Sequence, residues 1–340
     1  MSGNHRAADD APGVVGIIAN PAAGKDVRRL VALASTFDNQ EKVRIARRAL
    51  AGLAATGVRR VYYLPDSFGI VTRAAESNRF NLDLEPIPVP CTFTASDSEQ
   101  AARWLAEHGA ACILTLGGDG TNRVVARGCR EVPLVPIATG TNNVFPYLVD
   151  GTIAGLAAGL LATGQLDDTC LEQRPRLEVW IDGTLVDIAL IDVAVSRERF
   201  LGTRAIWDPN TIDQIIVSRV IPGVIGLAAV AAALSPNPAP TGAFVELGQG
   251  SICVTVPLAP GLVTRVPIRA WSPLELGAEI ILGQRPCTLA LDGERELRIE
   301  HSHHVVVRLS GSGPLVLDPR LALREAARRG CFLSPFTSAV

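Results

Sequence analysis

Apolar positions fall into short continuous runs in the first half of the chain and into alternating runs in the second. Val14-Val15-Gly16-Ile17-Ile18-Ala19, Arg60 to Leu64, Ala111 to Leu116 and Leu134 to Ala138 are strand-length and almost wholly apolar. That is the pattern of strands covered on both faces of a parallel sheet. Between them lie runs with helical spacing. Gln40 to Ala55 places Val43, Ile45, Ala46, Ala49, Leu50 and Leu53 on one side, with Asp38 and Asn39 as cap candidates. Asp97 to His108 is expected to open on Ser96 with Glu99 three residues on, a capping-box spacing. Asn122 to Arg127 and the Ala/Leu/Gly-rich Thr152 to Thr163 are the other helices. Strands alternating with helices predict a three-layer α/β domain built on a parallel sheet.

The pattern changes near residue 170. Leu177 to Ile181 and Leu185 to Leu190 flank Asp182-Gly183, a strong hairpin signal. Further strand-like runs are Ser251–Val256, Val263–Ala270, Glu279–Leu282, Cys287–Leu291 and Val305–Leu309. They predict a β-rich, sandwich-like, mostly antiparallel second domain. Asp318-Pro319 starts a last helix, Arg320 to Arg329, ended by Gly330. The expected division is a tail over 1–12, an α/β domain over 13–170, a β-rich domain over 171–310 and a segment, 311–340, packing back on the first domain.

Composition narrows the classes. A chain of 340 residues favours two domains. A formal charge of −2 gives no footprint for a nucleic-acid partner. Lys25 and Lys42 are the only lysines among 32 basic residues. The seven cysteines are odd in number and form no CxxC pair, so a reduced, cytoplasmic compartment is expected. No signal-peptide pattern opens the chain. The longest apolar run, Val220 to Leu234, is too short to span a membrane and contains Pro222, which predicts a buried helix.

The chemistry concentrates at strand ends. Gly117-Gly118-Asp119-Gly120-Thr121 stands between a buried strand and a helix, with Asn122 next. Glycines let backbone N–H groups approach a ligand, and the helix start adds free N–H groups and a positive dipole end. Asp119 is the odd element, because a carboxylate repels phosphate oxygens unless it holds Mg²⁺ or takes a proton from an attacking hydroxyl. The combination points to phosphoryl transfer. Two other loops sit at equivalent strand ends, Asn20 to Lys25 (with Gly24) and Thr139-Gly140-Thr141-Asn142-Asn143. In an open parallel sheet such ends carry the ligand. Lys25 either reaches a phosphate as a point charge or is a solvated loop lysine. Thr139 to Asn143 bonds ribose or phosphate oxygens, caps a helix, or does both. Leu291-Asp292-Gly293-Glu294 reads first as a hairpin turn. No GxGxxG opens the first helix and no Walker A loop is present. His301, His303 and His304 lack the partners of a zinc site.

Asn20-Pro-x-x-Gly24, the Gly117–Thr121 pentapeptide and Asp292-Gly293-Glu294 together resemble the superfamily of NAD kinases and diacylglycerol/sphingoid lipid kinases. Ile18 to Pro21 and Phe37 to Val43 are similar to the ATP-NAD kinase-like branch that includes the acetoin-catabolism X protein (AcoX). The resemblance implies an α/β nucleotide domain and a β-sandwich with the site between them. It implies that Gly117, Gly118 and Gly120 hold phosphates and that Asp119 is the general base or a Mg²⁺ ligand. Asp192, Asp292 and Glu294 become acceptor-side or second-domain contacts. Three departures bear on the acceptor. Ile191-Asp192 keeps the acid of the Asn-Glu/Asp pair of NAD kinases and loses the amide. Pro240-Thr241-Gly242 only echoes their Thr-Pro-Thr-Gly-Ser. Gly140 to Phe145 lies closer to the lipid-kinase Gly-Thr-x-Asn-Asp-Phe.

The expectation is a kinase for a small molecule, using ATP and Mg²⁺, with NAD as the leading acceptor and a connection to acetoin catabolism. The alternatives are a non-catalytic nucleotide-binding accessory protein of that pathway, and a lipid kinase with an apolar cleft near Val220 to Leu234. Closed symmetric assemblies being common, a homo-oligomer is expected.

Overall fold

The central strands of the first sheet send side chains to two different cores. In β1 (Val15–Ala19), Val15, Ile17 and Ala19 face one core and Ile18 the other; in β4 (Cys112–Gly117), Cys112, Leu114 and Leu116 are set against Ile113 in the same way. The computed structural model from which this is drawn describes residues 13–25, 33, 37–76, 80–197, 209–235, 242–283 and 286–333. The tail over 1–12 and the Pro240-Thr241 echo lie outside them.

The first sheet also contains β2 (Arg60–Tyr63), β3 (Asp83–Pro86), β5 (Leu134–Ala138), β6 (Leu171–Gln173) and, from the far end of the chain, β17 (Leu315–Leu317). Its order is β3-β2-β1-β4-β5-β17-β6, parallel except for β6. The chain runs outward from β1 to β3 and then restarts at β4 on β1's other side. The β1/β4 boundary is therefore the topological switch point, where the crevice beyond the strand ends opens.

Helices α1 (Asn39–Ala55), α2 (Ile70–Ala75) and α5 (Gly151–Ala162) cover one face, while α3 (Ala95–Glu107) and α4 (Asp119–Gly128) cover the other. The Asp38 side chain caps α1 by accepting the Glu41 N–H at 2.6 Å. The expected capping box of α3 is not formed. That helix starts two residues earlier than expected, at Ala95 after Thr94, without a side-chain cap bond. Glu99 instead pairs with Arg103 and Arg127, each at 2.9 Å. The short β3 and α2 have too little apolar contrast to be read from the sequence.

Beyond β6 the chain forms two antiparallel sheets. One is β12-β11-β10-β9-β14-β15, comprising β9 (Asp192–Ser196), β10 (Ile212–Val217), β11 (Gly242–Ala259), β12 (Leu262–Leu274), β14 (Cys287–Leu291) and β15 (Glu294–Ile299). The other is β13-β16-β7-β8, comprising β7 (Arg176–Ile181), β8 (Thr184–Ala189), β13 (Glu279–Ile281) and β16 (Val305–Ser310). Leu177, Val179, Val193, Val195, Leu289 and Val307 fill the space between them. Two hairpins turn on residue pairs with positive φ, Asp182-Gly183 at 52° and 80° and Asp292-Gly293 at 51° and 78°. These are the backbone values of a two-residue turn that suits the twist of the strands.

The expected helix over Val220 to Leu234 is only half present. Gly223 and Gly226 take positive φ, and α6 (Ala228–Leu234) follows them, packed on β11. Helix α7 (Pro319–Arg328) returns to α5, burying Ala322 and Ala326. No described helix is long and apolar enough to cross a membrane.

Candidate functional site

The loops after β1, β4 and β5 meet at the switch point. They line a cleft of about 660 Å³ whose other walls come from the loops after β2 and β3 and from the second domain. Of the residues singled out by sequence, Asn20, Gly24, Lys25, Gly118, Asp119, Gly120, Thr121, Gly140, Thr141, Asn142, Asp292 and Glu294 line it.

Close backbone approach explains the glycines. A Cβ on Gly140 would stand 2.7 Å from the Gly118 Cα, and one on Gly117 would stand 2.4 Å from the Thr121 Cβ. Gly24, at φ +74°, would put a Cβ 2.8 Å from the Thr139 carbonyl. The first and third loops, and the second and third, therefore approach each other backbone to backbone. Asn20 ties the first two loops together: its amide donates to Thr121 Oγ1 at 2.9 Å and its Oδ1 accepts the Ala22 N–H at 2.8 Å.

Asp119 is the first residue of α4 and is 8 % exposed. Its Oδ1 accepts the N–H groups of Val144 at 3.0 Å and Phe145 at 2.8 Å. The carboxylate thus also anchors the loop after β5. Other candidates turn inward. Asn122 accepts the Thr115 hydroxyl at 2.6 Å and donates to the Gly118 carbonyl at 2.9 Å. Asn143 closes its own turn, accepting from Gly140 N–H at 2.9 Å and donating to its carbonyl at 2.8 Å. Gly117, Asn122, Thr139 and Asn143 are not among the lining residues of the cleft; they shape its loops. Thr139 Oγ1, Thr141 Oγ1 and Asn142 Oδ1 are buried with no hydrogen-bond partner among the described residues. Buried polar atoms are normally satisfied, so such a cluster in a cleft-lining loop marks a place for ligand or water.

The second-domain acids divide in role. The Asp292 carboxylate accepts the N–H groups of Leu190, Ile191 and Asp192, at 3.0, 2.7 and 3.3 Å. Burial pushes it up to about 6, against the pull of Arg123 and these N–H donors. It is a structural anchor at the edge of the cleft. Asp192 lies behind, on a cavity of about 20 Å³ shared with Asp119 and Asn142. Glu294 faces the glycine loop after β4, its carboxylate oxygen 3.5 Å from where a Gly120 Cβ would be.

Several residues were missed from sequence. Arg123, buried on α4, pairs with Asp187 of β8 at 2.9 Å and approaches Asp292 at 3.7 Å; Arg127 reaches Asp187 at 3.5 Å. Their four-residue spacing on a helix behind the glycine loop was an available signal. Lys42 was also missed. Its ammonium, wholly buried, donates to the carbonyls of Ala23 at 2.7 Å, Asn20 at 2.9 Å and Pro21 at 3.3 Å. It holds the first loop from beneath.

Residues 15–164 match the ATP-NAD kinase N-terminal domain, and residues 175–312 match the acetoin catabolism protein X C-terminal domain. Acetoin catabolism protein X of Cupriavidus necator is 39 % identical over 332 residues, covering 93 % of this chain and 92 % of that protein. The chain belongs to the acetoin catabolism protein X family. Its first domain is NAD-kinase-like, as the sequence resemblance implied, and the two matches follow the order of the α/β sheet and the antiparallel sheets along the chain. Among solved structures, a diacylglycerol kinase from Bacillus anthracis is 15 % identical with a TM-score of 0.44, covering 91 % of this chain and 98 % of that one. An NAD kinase from Archaeoglobus fulgidus, in complex with ATP, is 14 % identical with a TM-score of 0.40, covering 81 % and 99 %.

Proposed function

We propose that the protein transfers the γ-phosphoryl group of ATP to a hydroxyl, with the NAD ribose as leading acceptor, and serves acetoin catabolism. The observation that carries this is the meeting of three glycine-containing loops at the switch point, with Asp119 opening α4 in their midst. Backbone N–H groups there suit the phosphates of the donor. The acceptor oxygen attacks the γ-phosphorus, the bond to the β-phosphate oxygen breaks, ADP leaves, and Asp119 takes the hydroxyl proton. Positioning and charge stabilisation supply most of the rate in such reactions.

Mg²⁺ fits as a substrate-borne ion. No group of three or more His, Cys, Asp or Glu side chains among the described residues forms a metal cage. Magnesium commonly uses one or two carboxylates and completes its shell with phosphate oxygens and water. Among the acids that line the cleft, Asp119, in the glycine loop, and Glu294, which faces Gly120, would be the ones to hold it. The ion would neutralise charge developing on the phosphates. The pathway assignment rests on the name of the Cupriavidus necator relative.

The second reading, a nucleotide-binding accessory protein without turnover, is favoured by the two backbone N–H groups already bound to Asp119. Incubation with γ-labelled ATP, Mg²⁺ and a panel of NAD, NADH, diacylglycerol and small diols separates these. Labelled NADP supports the first reading. Label in diacylglycerol alone moves the acceptor to lipid. Calorimetric binding of ATP with no labelled product favours the accessory role. Asp119→Asn should lower turnover by about 10²–10⁴-fold while ATP affinity stays within threefold, as expected for loss of a general base. Wild-type turnover in that variant removes Asp119 from the chemistry.

A further inference from the structure

Once the phosphate loops are assigned, half of the cleft is left over. It lies beyond the carboxyl ends of β2 and β3, and its walls carry Phe68 and Phe93 with Ser67, Thr94 and Ser98. Phe93 is unusual in two respects. Its φ is +58°, a region that bulky residues enter only under constraint, and its side chain is 63 % exposed. The constraint is visible. Asp97, itself buried, accepts the Phe93 N–H at 2.6 Å and the Thr92 hydroxyl at 2.5 Å, and the Thr92 and Thr94 hydroxyls lie 2.8 Å apart.

The local structure therefore holds an aromatic ring in a costly backbone conformation and leaves most of it exposed. A ligand that covers the ring removes the exposure cost and offsets the strain. Phe68 stands on the neighbouring loop in a similarly built turn. Asp66 accepts the N–H groups of Phe68 and Ile70, each at 2.8 Å, and the Arg73 guanidinium sits 4.1 Å from the Phe68 ring centroid. The cleft volume of about 660 Å³ leaves room for a planar group beside a phosphate chain.

We propose that this half of the cleft is a nucleobase subsite in which Phe93 stacks on a planar heteroaromatic ring and Phe68 forms a second apolar wall. The hydroxyls of Ser67, Thr94 and Ser98 supply polar partners for the ring edge. The proposal rests on the phosphoryl-transfer reading, which puts the phosphates on the other half. The ring belongs either to the donor triphosphate or to the acceptor dinucleotide, and the two are separable by titration.

ATP, NAD and inorganic tripolyphosphate are titrated separately into the wild-type protein, Phe93→Ala and Phe93→Trp. Stacking on an aromatic side chain is worth enough to predict a loss of about 5–50-fold in Phe93→Ala for the nucleotide whose base occupies the subsite. Tripolyphosphate affinity should be unchanged, which also shows that the cleft is intact. Phe93→Trp should keep nucleotide affinity and add a fluorescence quench, over the wild-type signal, with that nucleotide and not with tripolyphosphate. The nucleobase subsite is overturned, and phosphate binding left standing, if ATP and NAD bind Phe93→Ala as they bind wild type and Phe93→Trp adds no quench. Wild-type protein that binds none of the three ligands overturns the phosphoryl-transfer reading, and this subsite with it.

Discussion

At the scale of single residues, Lys42 shows how a buried charge can serve a loop. Its ammonium has three hydrogens, and three carbonyls of the first loop, with Asn39 Oδ1 at 3.3 Å, take them up. Burial, and next the nearby charge of Lys25, lower its pKa to about 8, against the pull of Asp66 and Asp38. The sign of the pH effect follows. The folded protein releases this proton before the unfolded chain does, so between about 8 and the ordinary lysine value of 10.5 the unfolded state binds more protons. Stability therefore rises with pH in that window as far as this group is concerned, because the cost of the buried charge is relieved. The clamp on the loop weakens in the same window. ATP affinity measured by calorimetry should fall as pH passes about 8, without a matching fall in melting temperature from this group. Lys42→Met, which leaves the carbonyls without a donor, should cost about 2 kcal/mol in stability and flatten that pH dependence. A variant that keeps the wild-type pH profile would show that Lys42 is only a packing residue. The glycine loop around Asp119 was legible because its residues are contiguous in the chain. Lys42 was not, because its partners lie about twenty residues away and are backbone atoms.

At the scale of elements, the contact between α1 and α5 depends on what is missing from their side chains. Gly151, Gly155 and Gly159 recur every fourth residue and face α1. A Cβ on Gly155 would stand 2.1 Å from the Ala49 carbonyl oxygen, and one on Gly52 would stand 2.6 Å from the Leu156 N. The helices therefore meet backbone to backbone beneath the sheet. Gly155→Leu gains about 1 kcal/mol of helix propensity. Against that, it must push two backbones apart, and overpacking of a close-packed core costs about 3 kcal/mol or more when no side chain can yield. The net expectation is a loss of about 2 kcal/mol or more in urea unfolding; an unchanged midpoint would mean that the helices are not in contact. The helix itself was readable from its Ala/Leu/Gly run, but its buried face was not. Apolar and small residues surround it on every side, so the pattern has no contrast until α1 supplies the partner. Helix α3 gives a different case, since the helix was readable while Glu99, expected in the cap, had two arginines within reach and bonded them.

At the scale of the whole molecule, the two domains share a core as well as a cleft. Leu134 and Phe145 of the first domain belong to the same apolar cluster as Leu190, Ile191, Ile215 and Val245 of the second. Arg123 spans the join, reaching from α4 to Asp187 on β8 and to Asp292 in the β14–β15 turn. Because Arg123 is 4 % exposed, removing Asp187 leaves its buried charge with the more distant Asp292, at 3.7 Å, in place of its nearest partner. Asp187→Ala should therefore cost up to about 3–5 kcal/mol. The double variant Arg123→Met with Asp187→Ala should recover part of that loss, since the guanidinium is removed together with its nearest partner. Additive losses in the double variant, measured by chemical denaturation, would show that the pair does not couple the domains.

What the sequence determined by itself was set by short-range rules. The period of the apolar pattern separated a parallel-sheet domain from a β-sandwich, the Asp-Gly pairs marked hairpins, and Gly117 to Thr121 marked a tight strand-to-helix turn with an acid in it. What the tertiary structure decided involves contacts distant along the chain. Only folding brought the loops after β1, β4 and β5 together with Glu294, set the carboxylate of Asp119 against the N–H groups of Val144 and Phe145, and turned Asn122 and Asn143 inward to shape the loops. Hydrogen-bond partners and close backbone approaches of this kind depend on three-dimensional distance, which residue spacing does not encode.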